Sequence, residues 1–200
     1  MCEHMVRLTR IYTGGGDSGE TSLGSGERVA KSDPRIAALG AVDEANATIG
    51  VARVHTGSDA DAMLARIQND LFDLGADLCV PGGGNKAAGA LRVTDIQVAR
   101  LEAEIDRLNG ELEPLESFIL PGGNAAAAHL HLARTVVRRA ECRIAELAVD
   151  EALNPAAMRY VNRLSDHLFV LARFVNEDDV LWKPGGDQPN PSTNSSPTTT

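Results

Sequence analysis

The chain has 200 residues, enough for one ordinary domain and few for two. Its formal charge of −9 argues against nucleic acid or an anionic membrane surface as partner, because both select basic proteins. Aromatic residues make up only 4% while 28 residues are Ala, a balance that favours an all-α fold. No run of about 18 uninterrupted apolar residues occurs, so no membrane-spanning helix is expected. The first residues carry no apolar stretch of a secretory signal. Cys2, Cys79 and Cys142 are odd in number and far apart, neither a disulfide framework nor a zinc pattern. That usage suits a reducing compartment, and the expected location is cytoplasmic.

Glycine and proline are clustered rather than spread. The first cluster runs from Thr13 through Gly14, Gly15, Gly16, Asp17 and Ser18 to Gly19, and the breakers Pro81-Gly82-Gly83-Gly84, Pro121-Gly122-Gly123 and Pro184-Gly185-Gly186 follow. The stretches between carry helical periodicity. Ile36, Leu39, Val42, Ala45, Ile49 and Ala52 predict a helix over 35–55. Met63, Ile67, Leu71, Leu74 and Leu78 predict a second over 59–80, ending at Pro81-Gly82. Thr94 is placed to cap a third helix whose apolar face is Val98, Leu101, Ile105, Leu108 and Leu112. A long fourth helix opens after Asn124 and runs to about 150. Asn154-Pro155 starts a fifth that reaches about 177. Five helices with short connections favour an up-and-down five-helix bundle. The chain divides into a glycine-rich region (1–34), a helical bundle (35–182) and a tail (183–200) too polar to order itself.

Three segments carry chemistry. Gly14 to Thr21 has roughly the spacing of a phosphate-binding P-loop, but Glu20 stands where the lysine belongs and no strand–loop–helix context surrounds it. The same residues fit GxGxxG, again without a βαβ unit. The underlying physics survives, because consecutive glycines let backbone N–H groups converge on an anion, with Thr13, Ser18, Thr21 and Lys31 at hand. A plain flexible loop is the alternative.

In the fourth helix, Arg134, Arg138 and Glu141 fall at i, i+4 and i+7 and share a face, bordered by His131. Paired guanidiniums suit an oligophosphate. They also suit a solvated charged face or a salt-bridge seam between subunits. In the fifth helix, Asn162, Ser165, Asp166, Phe169 and Arg173 form a polar stripe on an otherwise apolar helix, and such groups need hydrogen-bond partners.

Taken together, these segments resemble the PduO-type ATP:cob(I)alamin adenosyltransferases. The matching stretches are 11–13 with 16–21, Asp33-Pro34-Arg35, and 40–46 around Asp43. Further on come Phe118-Ile119-Leu120-Pro121-Gly122-Gly123, Ala133-Arg134 with Arg138-Arg139-Ala140-Glu141, and Asn162-Arg163-Leu164-Ser165-Asp166. The likeness spans residues 7–182. Cys142 and the triple glycine at 14–16 depart from the usual pattern.

The resemblance implies a homotrimer with active sites between subunits. Thr13, Gly16, Asp17, Gly19, Thr21 and Lys31 would wrap ATP, and Arg138, Glu141 and Asn162 would complete the nucleotide site, with Mg²⁺ on the triphosphate. Asp43 would pair with Arg134 across the subunit boundary. Phe118 would stand against the corrin ring of cobalamin and exclude the lower ligand of cobalt. The tail would lie near the corrinoid. A flavin-dependent reductase and an adenosylcobalamin-dependent mutase or dehydratase are the implied partners.

The reaction moves the 5′-deoxyadenosyl group of ATP to Co(I) and releases triphosphate. Co(I) is itself the nucleophile, so a chain without a defensible Ser-His-Asp or Cys-His set fits this chemistry. Positioning and charge stabilisation are what the protein must supply. Competing classes are a trimeric helical scaffold, which would bind no nucleotide, and an ATP hydrolase or kinase, which would release ADP or AMP. A di-iron bundle would need Glu-x-x-His pairs, and the chain has none.

Overall fold

The computed structural model describes residues 12–82 and 89–185. Met1 to Ile11, with Cys2, lie outside these residues, as do Gly83, Gly84 and the tail from Gly186 onward. Five helices make up the body: α1 (Pro34–Arg53), α2 (Ser58–Cys79), α3 (Asp95–Asn109), α4 (Ala125–Asp150) and α5 (Pro155–Phe174). A short antiparallel hairpin, β1 (Glu20–Ser22) with β2 (Arg28–Ala30), precedes them and pairs Thr21 with Val29. The periodicity argument does not anticipate it, because three-residue strands are too short to show alternation.

The helix starts follow local chemistry. Asp33 accepts from the Arg35 N–H at 2.8 Å, with Pro34 in the first turn. The Gln97 side chain accepts from the Thr94 N–H at 2.8 Å. Asn124 caps Ala127 (2.9 Å) and Asn154 caps Ala156 (3.0 Å). The ends of α1 and α5 fall two or three residues earlier than the periodicity predicts. At α5 the cause is Arg173, whose side chain turns to Asp179 (2.7 Å) and to the Glu113 carbonyl (2.9 Å), drawing the following chain away from the helix axis.

Successive helices alternate in direction. One end of the bundle gathers the starts of α1, α3 and α5 with the finishes of α2 and α4. There Arg35, almost fully buried, donates to the Leu78 carbonyl and to Glu151. Buried Asp77 beside it collects Arg92 (2.6 Å), the Val93 N–H (2.9 Å) and Asn154 (2.6 Å). Spatial order differs from chain order: α4 packs between α1 and α5, α1 also packs on α2, and α3 lies along α5. The α3–α5 contacts run Asp95–Arg159, Glu102–Arg163, Glu104–His167, so these two helices are parallel. Long connections over 80–94 and 110–124 make this possible.

The core is aliphatic, with Ile49, Leu64, Leu74, Leu101, Leu130 and Leu164 fully buried. Polar side chains bridge α2, α3 and α5 within it. Asp70 is held by Arg100 and by the Tyr160 hydroxyl at 3.0 Å, and Glu104 by Arg66 and His167. Burial and the neighbouring Asp70 push the Tyr160 phenol well above its ordinary range, so it is a committed donor. Burial pushes the Glu104 carboxyl upward, but hydrogen bonds from His167 and Arg66 outweigh it and hold the group below the usual value. Tyr160→Phe is expected to cost about 1.5–3 kcal/mol, the worth of a buried hydrogen bond to a charged acceptor. Urea unfolding checks this, and an unchanged midpoint would show that the bond contributes nothing.

Candidate active site

Helices α4 and α5 meet along buried Ala133, Val137, Ala140, Val161, Leu164 and Leu168, and the adjoining stripe faces outward. Arg134, Arg138 and Glu141 lie on that stripe of α4, and Asn162, Ser165, Asp166 and Phe169 on that of α5. Asn162 Nδ2 donates to Glu141 Oε1 at 2.8 Å, which joins the two helices at one end of the stripe. At the other end Arg134, Arg138, Asp166 and Phe169 line an open cleft of about 770 Å³ with Phe118 and Trp182.

The arginines here differ from the rest. Among the described residues every arginine forms an ion pair with a carboxylate except Arg134 and Arg138. Arg139, one residue on, pairs with Glu44 of α1. The Arg134 guanidinium sits 5.7 Å from the centre of the Phe169 ring, a cation–π contact, and its Nε is buried without a hydrogen-bond partner. Burial and then the Arg138 charge pull Arg134 below the ordinary arginine value, although the group stays cationic. His131 packs edge-to-face on the same ring at 6.2 Å. Burial and then Arg134 lower its basicity, so it is a neutral imidazole near pH 7. The cleft therefore offers an apolar wall and two arginines without an ion pair, with the carboxylates of Glu116 and Asp166 also on its lining. An uncompensated, partly buried charge is costly and points to an anionic partner.

Phe118 lies on the connection between α3 and α4. It is 78% exposed and meets the Trp182 ring edge-on at 6.1 Å.

The glycine loop forms a second group. Gly19 has a φ of +83°, a conformation that other residues adopt only with strain. Its carbonyl accepts from the Lys31 N–H at 2.8 Å, which closes the loop. A Cβ on Gly16 would lie 3.1 Å from Lys31 Nζ, so the ammonium sits directly over this stretch of backbone. Arg28, which sequence reasoning missed, adds a second cation through the Gly15 carbonyl at 2.7 Å. Thr13 and Asp17 are exposed on the same loop, and Thr21 pairs with Val29 of β2.

Within one chain this loop rests on the end of α2, where the Gly24 N–H donates to the Cys79 carbonyl (3.1 Å) and Sγ (3.0 Å). No hydrogen bond or ion pair joins it to Arg138, Glu141 or Asn162 among the described residues. Asp43 is exposed on α1, beside a separate cleft containing Phe72 and Cys79, and has no ion pair among the described residues. The structure thus gathers Arg134, Arg138 and Phe118 at one cleft, with Glu141 and Asn162 along the same seam. It leaves Asp43 and the loop residues elsewhere on the chain. Trp182 and Arg28 escape a reading by spacing, since neither belongs to a helical stripe. That Trp182 is the chain's sole tryptophan is the one available signal.

A helical bundle with an arginine-lined cleft and a separate glycine loop defines the class of helical proteins equipped to hold an anionic ligand. The cobalamin adenosyltransferase family matches residues 11–175, and the chain belongs to that family. Its activity is the ATP-dependent adenosylation of cobalamin. A corrinoid adenosyltransferase of Mycobacterium tuberculosis (strain H37Rv) is 50% identical over 189 residues, covering 92% of this chain and 97% of the relative. A cobalamin adenosyltransferase of Cupriavidus metallidurans is 47% identical, covering 88% and 96%. Among solved structures, a variant PduO-type ATP:corrinoid adenosyltransferase from Lactobacillus reuteri, complexed with cobalamin and ATP, superposes with a TM-score of 0.82. It is 36% identical and covers 87% of this chain and 97% of that one.

Arg138→Ala is expected to lower turnover about a hundredfold, the scale of one lost charge-stabilising donor. Folding stability should move by less than about 0.5 kcal/mol, because the side chain is exposed and unpaired. Parallel kinetics and thermal unfolding check the split, and equal losses in both would assign Arg138 to the scaffold.

Proposed function

We propose that the chain works as a homotrimer in which one copy's glycine loop faces the α4–α5 stripe of a neighbour. The observation that carries this reading is the division of charge within a single chain. Among the described residues Arg134 and Arg138 are the arginines without a carboxylate, Asp43 has no ion pair, and the loop reaches neither group. Pairing Asp43 with Arg134 of the next copy satisfies both and brings Lys31, Gly16, Asp17 and Gly19 toward Arg138, Glu141 and Asn162. Thr13 and Thr21 add hydroxyls to the same nucleotide half. In this division residues 1–34 serve ATP, 35–182 form the bundle, and 183–200 follow the corrinoid cleft.

Mg²⁺ accompanies the triphosphate. Among the described residues no group of three or more His, Cys, Asp or Glu is placed to hold a metal ion, whereas phosphate oxygens and water are ordinary Mg²⁺ ligands. Asp17 and Glu141 are the carboxylates left to orient its waters. The ion supplies charge neutralisation on the phosphates.

Chemistry then follows from charge and exclusion. Co(I) of the corrinoid attacks C5′ of ATP, the Co–C bond forms, and the C5′–O bond breaks with its electron pair leaving on triphosphate. Arg138, Lys31 and the loop N–H groups meet the charge that gathers on the leaving group. Phe118 presents an apolar face to the corrin, leaving no room for a lower ligand, and Co(II) without that ligand is easier to reduce. Among the described residues no helix is long and apolar enough to cross a membrane. The proposed setting is the cytoplasm, with a flavin-dependent reductase supplying electrons and a mutase or dehydratase receiving the coenzyme.

Mixing the protein with ATP and chemically reduced cobalamin should give the adenosylcobalamin spectrum and free triphosphate. ADP or AMP in its place would refute the reaction. Phe118→Ala should abolish the four-coordinate Co(II) signal while leaving ATP affinity nearly unchanged, and an unaltered EPR spectrum would remove the residue from this role. Asp43→Asn is expected to weaken the trimer or slow turnover. Light scattering and kinetics both matching the wild type would overturn the pairing with Arg134.

A further inference from the structure

Phe118 has an unsolved mechanical problem. A ring 78% exposed on an irregular connection gains almost nothing from core packing, yet its proposed task demands a fixed height over the corrin. Something outside the core must hold it.

The chain after α5 supplies that support. Residues 180–182 run antiparallel to 118–120 as a strap. The Leu120 N–H donates to the Val180 carbonyl at 2.8 Å, and the Trp182 N–H donates to the Phe118 carbonyl at 2.6 Å. Ile119 and Leu181 form the bridge between them, and the Ser117 hydroxyl donates to the Trp182 carbonyl at 3.0 Å. Trp182 therefore holds the Phe118 carbonyl through its N–H and the Ser117 hydroxyl through its carbonyl, while its indole stands edge-on to the Phe118 ring. The strap is itself tied to the bundle. Arg173, only 7% exposed, binds Asp179 just ahead of it and the Glu113 carbonyl on the opposing connection. A rigid helix, one guanidinium and a two-sided backbone clasp thus lead to one aromatic ring. Trp182 also lines the 770 Å³ cleft beside Phe118 and Phe169, and its 45% exposure places part of the indole on that surface.

We propose that Trp182 is the positioning residue for Phe118: its main chain clasps the Phe118 segment and its indole braces the ring. The strap thereby sets how fully the lower face of cobalt is closed. This rests on the corrinoid reading of the cleft and assigns it a residue that neither helical stripe contains. The class of ligand it discriminates follows from chemistry. A corrinoid whose own nucleotide base coordinates cobalt from below must have that base displaced by Phe118. A corrinoid lacking the base holds only water there, a weaker ligand that is more easily excluded.

The test compares wild type, Trp182→Ala and Trp182→Phe on cobalamin and on cobinamide, which has no nucleotide base. Trp182→Ala should cut the yield of four-coordinate Co(II)balamin and the kcat on cobalamin about tenfold, the scale of one aromatic contact. Cobinamide turnover should fall by less than cobalamin turnover, calorimetric ATP affinity should stay near wild type, and Trp182→Phe should restore most of the cobalamin activity. Equal losses on both corrinoids, or a full four-coordinate signal in Trp182→Ala, would overturn the proposal. A loss of ATP binding with a lowered Tm would make Trp182 a purely structural residue and overturn it too. Failure of the wild type to adenosylate either corrinoid would instead overturn the functional reading, so the two failures are distinct.

Discussion

Helix α4 is packed on two sides at once, and that double contact governs the rest of the molecule. Ala126, Ala127, Ala133 and Ala140 are buried along it, small enough for α1 and α5 to close on either flank. A helix held this way has little freedom to shift or roll. Its stripe of Arg134, Arg138 and Glu141 is therefore presented on rigid backbone, which a site handling a polyphosphate needs for orientation. The α5 stripe inherits the same rigidity, since Asn162 and Glu141 join across the seam.

The distribution of ion pairs follows from this arrangement. The protein is acidic, so carboxylates are plentiful, and nearly every described arginine has found one. Arg35 and Arg100 pair inside the fold and connect elements distant in sequence, while Arg173 pairs with Asp179 and reaches the Glu113 carbonyl on the opposing connection. Arg134 and Arg138 are left positive because their side of α4 faces a cleft rather than another helix. An acidic protein can thus hold a strongly local positive site without basic character overall. That is the electrostatic pattern suited to one small polyanion rather than to an extended nucleic acid.

Much of the fold is legible because the helices are long and strongly periodic. Ile36 to Ala52 and Met63 to Leu78 repeat at three- and four-residue steps, and Asn124 and Asn154 act as caps in the structure. The Arg134–Arg138–Glu141 face is legible for the same reason, since one helix fixes the relation of i, i+4 and i+7. Other features depend on contacts between segments far apart. The parallel contact of α3 with α5 arises from where two long connections lead, and periodicity within a helix carries no information about its neighbour. The hairpin of β1 and β2 is too short for a pattern. The clasp of Trp182 on Phe118 joins residues 64 positions apart through main-chain groups that every residue type possesses, so no residue pattern announces it.

The amino-acid sequence alone thus determined the helical class, the glycine loop and the arginine face, because each is encoded within one local stretch, whereas Phe118 is singled out only through the family resemblance. Tertiary structure decided which arginines remain unneutralised: Arg139 is paired by Glu44 of α1, whereas Arg138, its neighbour in the chain, is not. It also decided that the loop and the arginine face lie apart within one chain, and that a strap from the end of the protein supports the exposed ring. The physical reason is the same in each case. Charge compensation and ring placement depend on distances through space, and distances through space are set by packing.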